Sequence, residues 1–225
     1  MRNILVVIDM QNDFIDGALG TKEAVEIVEN VKNKIRSYSP ENVIATMDTH
    51  GENYMETQEG RNLPVPHCIR GTEGWQIRPE ISELLKKAKI FEKPTFGSTE
   101  LASYLKGVSE QEEISLELMG LCTDICVISN ALLLKAAMPE VPIRVDAACC
   151  AGVTPDSHVA ALASMKSCQI HIENEPVRTV SIDLNGDGKE DVVFMDVDGD
   201  GVPDAEIYYL EEEDTETDIE SLEEE

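Results

Sequence analysis

The stretch Ile114-Ser115-Leu116-Glu117-Leu118-Met119-Gly120-Leu121-Cys122-Thr123-Asp124-Ile125-Cys126-Val127 decides how the chain is read. Its first six residues are largely apolar and predict a buried strand. Gly120 stops it, and residues 124–138 have the composition of a helix. A strand that passes at once into a helix sets the first helical turn among unpaired backbone N–H groups, at the positive end of the helix dipole. A cysteine in that turn, Cys126, is expected to have its thiolate stabilised, and the thiolate is the reactive form. The plainer alternative is a buried, inert thiol, the state of most free cysteines.

Outward from this stretch, the same alternation repeats. Residues 4–8 form a short apolar run rich in β-branched side chains, the pattern of a strand buried on both faces. Residues 21–38 place Ala24, Ile27, Val28, Val31 and Ile35 at helical spacing and predict one amphipathic helix closed by Ser39-Pro40. Further strands are predicted at 43–47, 90–93, 114–119, 141–145 and 169–172. Helices are predicted at 79–87, 99–106, 124–138 and 154–165, the last with Thr154 as cap and Pro155 as first residue. Strands alternating with helices imply right-handed crossovers, hence a three-layer α/β/α sandwich around a six-stranded, mostly parallel sheet. Ligands in such a sheet bind beyond the carboxyl ends of the strands. Asp9, Asp48 and Lys93 end the first three strands and Cys126 follows the fourth, so four chemically capable residues share one edge. Residues 49–76 form a long irregular passage, and loops of that length in a compact domain are usually functional.

The chain has 225 residues, 42% of them hydrophobic, enough for one α/β domain and a small appendage. Its net charge of −27 is concentrated beyond residue 174, where 20 acidic residues face two basic ones. A globular body (residues 1–174), an acidic appendage (175–210) and a Glu/Asp-rich tail (211–225) expected to be disordered are the domains this suggests. Nucleic acid is an unsuitable partner, because phosphate binding needs clustered Lys and Arg. The apolar run at the N-terminus is too short for a signal peptide and no stretch has the length of a membrane span, which points to the cytoplasm. The six cysteines show no scaffold spacing, consistent with reduced thiols.

A cysteine, a carboxylate and an ammonium together make a nucleophilic centre. The carboxylate takes the thiol proton, the lysine balances charge, and backbone N–H groups in the 121–126 turn can receive an oxyanion. Asp48-Thr49-His50 puts two ligand-type side chains on one face of an extended segment. His67 follows after the loop and Glu59 lies between, a donor set suited to zinc, iron or manganese.

Five segments then occur in order: Ile8-Asp9-Met10-Gln11-Asn12-Asp13-Phe14; Asp48-Thr49-His50; His67-Cys68-Ile69-Arg70-Gly71-Thr72-Glu73-Gly74; Lys93-Pro94-Thr95-Phe96; and Gly120 to Val127. Together they resemble the isochorismatase-like cysteine hydrolases, and within them the nicotinamidase/pyrazinamidase group. The resemblance implies that fold, a catalytic triad of Asp9, Lys93 and Cys126, and a cis peptide before Cys122 that aims the N–H groups of Cys122 and Cys126 at the oxyanion. It also implies a divalent transition metal, zinc foremost, on Asp48, His50, Glu59 and His67, with an open position for the ring nitrogen of a small carboxamide substrate. Members acting on isochorismate typically lack this metal set. Many nicotinamidases carry an aromatic residue three positions before the second metal histidine; here that position is Pro64, so Phe14, Phe96 and Trp75 are the candidates for the substrate walls.

The appendage repeats one pattern. Asp183, Asn185, Asp187 and Asp191, then Asp196, Asp198, Asp200 and Asp204, stand at loop positions 1, 3, 5 and 9, with Gly at position 6. That is Ca²⁺ chemistry. Phe194 and Ile207 occupy position 12, where an EF-hand needs Glu. The segment instead resembles the calcium loops of thrombospondin type 3 and integrin-type repeats, with strands predicted around them. The chain is thus read as an enzyme, a metal-dependent amidohydrolase converting nicotinamide and pyrazinamide to the acid and ammonia, with a homo-oligomer open. The alternatives are a ureido or N-carbamoyl amidohydrolase or isochorismatase of the same fold, and a calcium-binding assembly protein on a hydrolase scaffold.

Overall fold

Five consecutive buried apolar residues, Ile4 to Ile8, make β1 (Arg2–Ile8) a strand covered on both faces. In the structure, a computed structural model that describes residues 1–176, 178–184, 186, 188–196, 203 and 205–209, β1 lies inside a six-stranded sheet. The chain continues through α1 (Asn12–Ile15), α2 (Lys22–Glu26), α3 (Val28–Arg36), β2 (Val43–Asp48), α4 (Gln58–Asn62), α5 (Pro79–Ser82) and β3 (Lys89–Lys93). It then runs through α6 (Thr99–Ser109), β4 (Ile114–Leu121), α7 (Ile128–Ala137), β5 (Ile143–Ala151), α8 (Pro155–Ser167) and β6 (His171–Glu173). The strand order is β3-β2-β1-β4-β5-β6 and every pairing is parallel.

This order fixes where the chemistry can be. The chain winds from β1 out to β3, then returns to lay β4 on the other side of β1. The crossovers therefore diverge between the carboxyl ends of β1 and β4, and the crevice of a doubly wound sheet opens at that reversal. Register brings Ile8 opposite both Thr46 and Gly120, and Asp48 opposite Lys93. Among the helices, α3 packs on α5 and β5, while α7 packs on both α6 and α8.

Three expected helices take a different form, and the strand expected over 141–145 runs instead from Ile143 to Ala151. The helix expected over 21–38 comes as α2 and α3, because the Ile27 N–H is shared between the Glu23 and Val25 carbonyls in a tightened turn. Ala24, Ile27, Val31 and Ile35 are still buried together, so the amphipathic stripe is unbroken. The helix expected over 79–87 keeps regular form only to Ser82. The helix expected from 124 opens with a π turn, Thr123–Val127, in which the Cys122 carbonyl accepts from both Ile125 N (3.1 Å) and Val127 N (3.0 Å).

The chain divides into two compact units, Met1–Glu175 and Pro176–Glu225. In the second, β7 (Arg178–Ile182), β8 (Val192–Asp196) and β9 (Ala205–Tyr208) pair as an antiparallel meander. Of the expected Ca²⁺ ligands, Asn185, Asp187, Asp198, Asp200 and Asp204 lie outside the described residues, as does the expected tail 211–225. The two carboxylate oxygens of Asp183 accept from Gly186 N (2.6 Å) and Gly188 N (2.9 Å), and Asp191 Oδ2 accepts from Leu184 N (2.6 Å). The described part of that loop thus closes through carboxylate-to-backbone bonds.

Candidate active site

Gly120 lets β1 and β4 end side by side. Its φ is +122°, and a Cβ there would stand 2.0 Å from the Ile8 carbonyl oxygen. Only glycine fits this approach. Directly after it the Leu121–Cys122 peptide is cis, as the resemblance implies, and the π turn then carries Cys126 back beneath the carboxyl ends of the strands.

Asp9, at φ +48°, follows β1 and is fully buried. Its Oδ1 accepts from Thr46 Oγ1 at 2.7 Å and its Oδ2 lies 2.6 Å from Lys93 Nζ. Lys93 Nζ also reaches Cys126 Sγ and Asp48 Oδ1, each at 3.3 Å. The three residues singled out for nucleophilic chemistry are therefore one contiguous cluster, with the lysine at its centre. Burial opposes the lysine charge most strongly, but Asp9 and the other anionic neighbours together outweigh it and raise the Lys93 pKa above its usual range.

The thiol behaves differently from the sequence expectation. Burial first, then the Asp9 charge, push Cys126 well above the ordinary cysteine range. The turn dipole does not offset complete removal from water beside a carboxylate.

Asp48 joins this cluster to a second one. Its Oδ2 lies 2.9 Å from His50 Nε2 and 3.6 Å from His67 Nε2; Glu59 Oε1 lies 3.6 and 3.7 Å from the same two nitrogens. All four ligand atoms fall within 4.8 Å of one another, a group able to hold a metal ion. Four ligands about 2.1 Å from one tetrahedral ion would be about 3.4 Å apart, and the observed separations bracket that value. His50 Nε2 is buried without a hydrogen bond, and His67 Nδ1 faces the Val65 carbonyl oxygen at 2.9 Å. An N–H at Nδ1 donating to that carbonyl leaves the Nε2 lone pair of His67 directed at the cluster. Although burial opposes ionisation, His50, His67 and Lys93 hold the Asp48 carboxyl well below its usual range. The donor set fits a divalent transition metal.

The expected wall residues separate in space. Phe96 is 42% exposed and lines a cavity of about 510 Å³ together with His50, Glu59, Leu63 and Ile125. Phe14 is buried, with its ring 5.5 Å from that of His67. Trp75 does not line this cavity: its Nε1 donates to Thr49 Oγ1 at 2.9 Å and the Arg70 guanidinium lies over its ring.

Several supporting residues carry no signal that composition or spacing reveals. Gln11 donates to the Asp48 and Trp75 carbonyls and accepts from Asp48 N, which pins the end of β2. Asn130 accepts from Ser98 N and donates to the carbonyls of Phe96 and Cys126, tying the Phe96 loop to the nucleophile turn. Tyr54, 1% exposed, sets its ring against both His50 and His67 while its hydroxyl donates to the Leu63 carbonyl. Gln11 lay within a quoted motif; Asn130 and Tyr54 sat in segments read only as helix and loop.

Comparison with known proteins identifies the family of the fold. Residues 3–175 match the family model described as the isochorismatase domain. An isochorismatase family protein of Bacillus subtilis (strain 168), PncA, described as uncharacterized, is 32% identical over 146 residues, 59% of this chain and 78% of that protein. Among solved structures, the pyrazinamidase of Pyrococcus horikoshii in complex with zinc is 27% identical, with a TM-score of 0.62 over 78% of this chain and all of that one. The nicotinamidase/pyrazinamidase PncA of Bacillus subtilis is 28% identical, with a TM-score of 0.65 over 77% of this chain and all of that one. With a parallel sheet reversing at β1 and β4, a buried Asp-Lys-Cys cluster at that reversal and a family model spanning the whole first unit, the chain belongs to the isochorismatase domain family of hydrolases.

Proposed function

We propose that the protein is a metal-dependent cysteine amidohydrolase that converts nicotinamide, and pyrazinamide with it, to the corresponding acid and ammonia. The observation that carries this reading is the shared position of Asp48. One of its oxygens meets Lys93 in the nucleophile cluster and the other meets His50 in the metal group. A substrate seated over the metal group therefore has its reactive carbon brought to the cysteine. Nicotinamidase and pyrazinamidase structures at 27–28% identity support the same substrate class.

Asp9, paired with Lys93, takes the Cys126 proton as sulfur attacks the carboxamide carbon. The N–H groups of Cys122 and Cys126 receive the oxyanion. Collapse breaks the C–N bond; protonated Asp9 gives its proton to the departing ammonia, leaving a thioester on Cys126. Asp9 then deprotonates a water that cleaves the thioester, and the thiol is restored. Lys93 stays charged throughout and keeps the carboxylate and sulfur together. Asp48, His50, Glu59 and His67 would hold the metal, which would supply a Lewis acid that attracts the ring nitrogen and so helps orient the amide. Neither Lys nor Arg lines the cavity, which weighs against a dianionic substrate such as isochorismate.

The test is ammonia release from nicotinamide and pyrazinamide alongside elemental analysis of the purified protein. Turnover of both and about one transition-metal ion per chain are expected; a protein that hydrolyses neither overturns the reading. Ca²⁺ binding by the C-terminal loops is a separate proposal resting on ligand spacing alone. Calorimetric titration of the full chain with Ca²⁺ checks it, with heat of binding expected and its absence contradicting it.

A further inference from the structure

The cavity over the metal group is larger than a single-ring carboxamide needs. About 510 Å³ corresponds to roughly 17 water-sized volumes, against the about nine non-hydrogen atoms of a pyridine carboxamide. It lies within the range of roughly 300–1,000 Å³ that holds drug-sized ligands. Its floor is His50 and Glu59 of the metal group, with Ile125 next to the nucleophile. Its mouth carries two large apolar side chains held in the open, Leu63 at 37% and Phe96 at 42% exposure.

The chemistry of the mouth is specific. Gln58 and Asn62 lie at i and i+4 on α4, the spacing that puts two side chains on one helix face, and both line the cavity. Each amide offers donors and an acceptor. Thr57, the remaining hydroxyl on this segment, is already engaged: its Oγ1 accepts from Gly60 N and donates to the Tyr54 carbonyl. No Lys or Arg stands among the lining residues to pair with an anion, and Glu59 belongs to the metal group. Such a mouth suits a neutral group that can both donate and accept hydrogen bonds, and it disfavours a carboxylate.

We infer that the substrate is a ring carboxamide extended by a neutral hydrogen-bonding substituent, with the ring between Leu63 and Phe96 and the substituent read by Gln58 and Asn62. This rests on the amidohydrolase reading above and narrows its substrate class. Rates on the extended compound should exceed those on the bare ring because the distal contacts help hold the amide in the attacking geometry.

The experiment compares kcat/KM, with the metal-loaded full chain, for four pyridine-3-carboxamides: unsubstituted, and carrying a hydroxyethyl, a propyl or a carboxyethyl group on the ring carbon meta to both the carboxamide and the ring nitrogen. The hydroxyethyl compound is expected to exceed the unsubstituted and propyl compounds by about tenfold, the factor one net hydrogen bond supplies, and the carboxyethyl compound to be the poorest of the set. In the double variant Gln58→Ala/Asn62→Ala the hydroxyethyl-to-propyl ratio should fall to about one. Equal or lower rates on the hydroxyethyl compound, or a ratio that survives in the double variant, overturn the inference. If nicotinamide is hydrolysed and the extension gives no advantage, the amidase reading stands and this inference alone fails. If no carboxamide is hydrolysed, both fail.

Discussion

Lys93 is 1% exposed and has three partners, Asp9, Asp48 and Cys126. Its removal would leave the fully buried Asp9 carboxylate without a counter-charge. Lys93→Ala should therefore lower kcat/KM by about 10³-fold or more and destabilise the fold by about 3 kcal/mol or more; ammonia release and urea melts read the two effects. Gly120→Ala should cost about 2 kcal/mol or more, since it adds a Cβ against the Ile8 carbonyl at a positive φ. A melting curve within a degree or two of wild type would contradict that. At this scale the sequence shows which residues can do chemistry, because Asp9, Asp48 and Lys93 each close a strand and strand ends share an edge. It does not show the state of the thiol. Position in a first turn suggests a stabilised thiolate, but burial is a product of the whole fold, and burial beside Asp9 raises the Cys126 pKa. Thr46, whose hydroxyl donates to Asp9, was equally hidden: its role depends on the register of β1 against β2.

Between elements, α3 and the sheet are joined by an ion network around the buried Glu117. Glu117 on β4 receives Tyr38 Oη at 2.5 Å, Lys34 Nζ at 2.7 Å and Arg144 Nη2 at 2.6 Å, and Lys34 also meets Asp146 at 2.6 Å. Burial alone would raise both carboxyls, but Lys34 and the other partners outweigh it and hold both below their usual values. Lys34 is raised in turn, its carboxylate partners overcoming burial. Depressed carboxyls contribute stability that is complete above the unfolded values near 4 and is lost as pH falls through the folded ones. The raised lysine contributes below its unfolded value near 10.4 and loses that contribution only at higher pH. The network should therefore be at full strength from about pH 5 to 10. Glu117→Gln should destabilise by about 3 kcal/mol at pH 7, and the gap to wild type in urea melts should shrink below about pH 4. A gap unchanged down to pH 3 would contradict this. Periodicity revealed the alternation of these elements but not this network, because a Glu in an otherwise apolar strand shows its partners only once α3 and β5 are placed. The π turn at Thr123–Val127 was similarly unreadable, since π and α turns share the same side-chain preferences.

For the whole molecule, the strand order explains why one crevice gathers residues from across the chain: the winding reverses between β1 and β4, where Asp9 and the nucleophile turn stand. Every residue assigned to the proposed site lies in the unit Met1–Glu175. A chain ending at Glu175 should keep kcat/KM within about twofold of the full chain, and a larger loss would give the acidic unit a part in catalysis. Treatment with a strong chelator should abolish turnover and lower the melting temperature, and zinc should restore both, because ligand binding to the native state alone stabilises it. No helix among the described residues is long and apolar enough to cross a membrane. The central claim is that Cys126 is the nucleophile, and it is tested most directly by ammonia release from nicotinamide with wild type and Cys126→Ala, each shown to carry the same metal content. The account predicts turnover by wild type and none measurable by the variant; a variant that releases ammonia at a rate near wild type would contradict it.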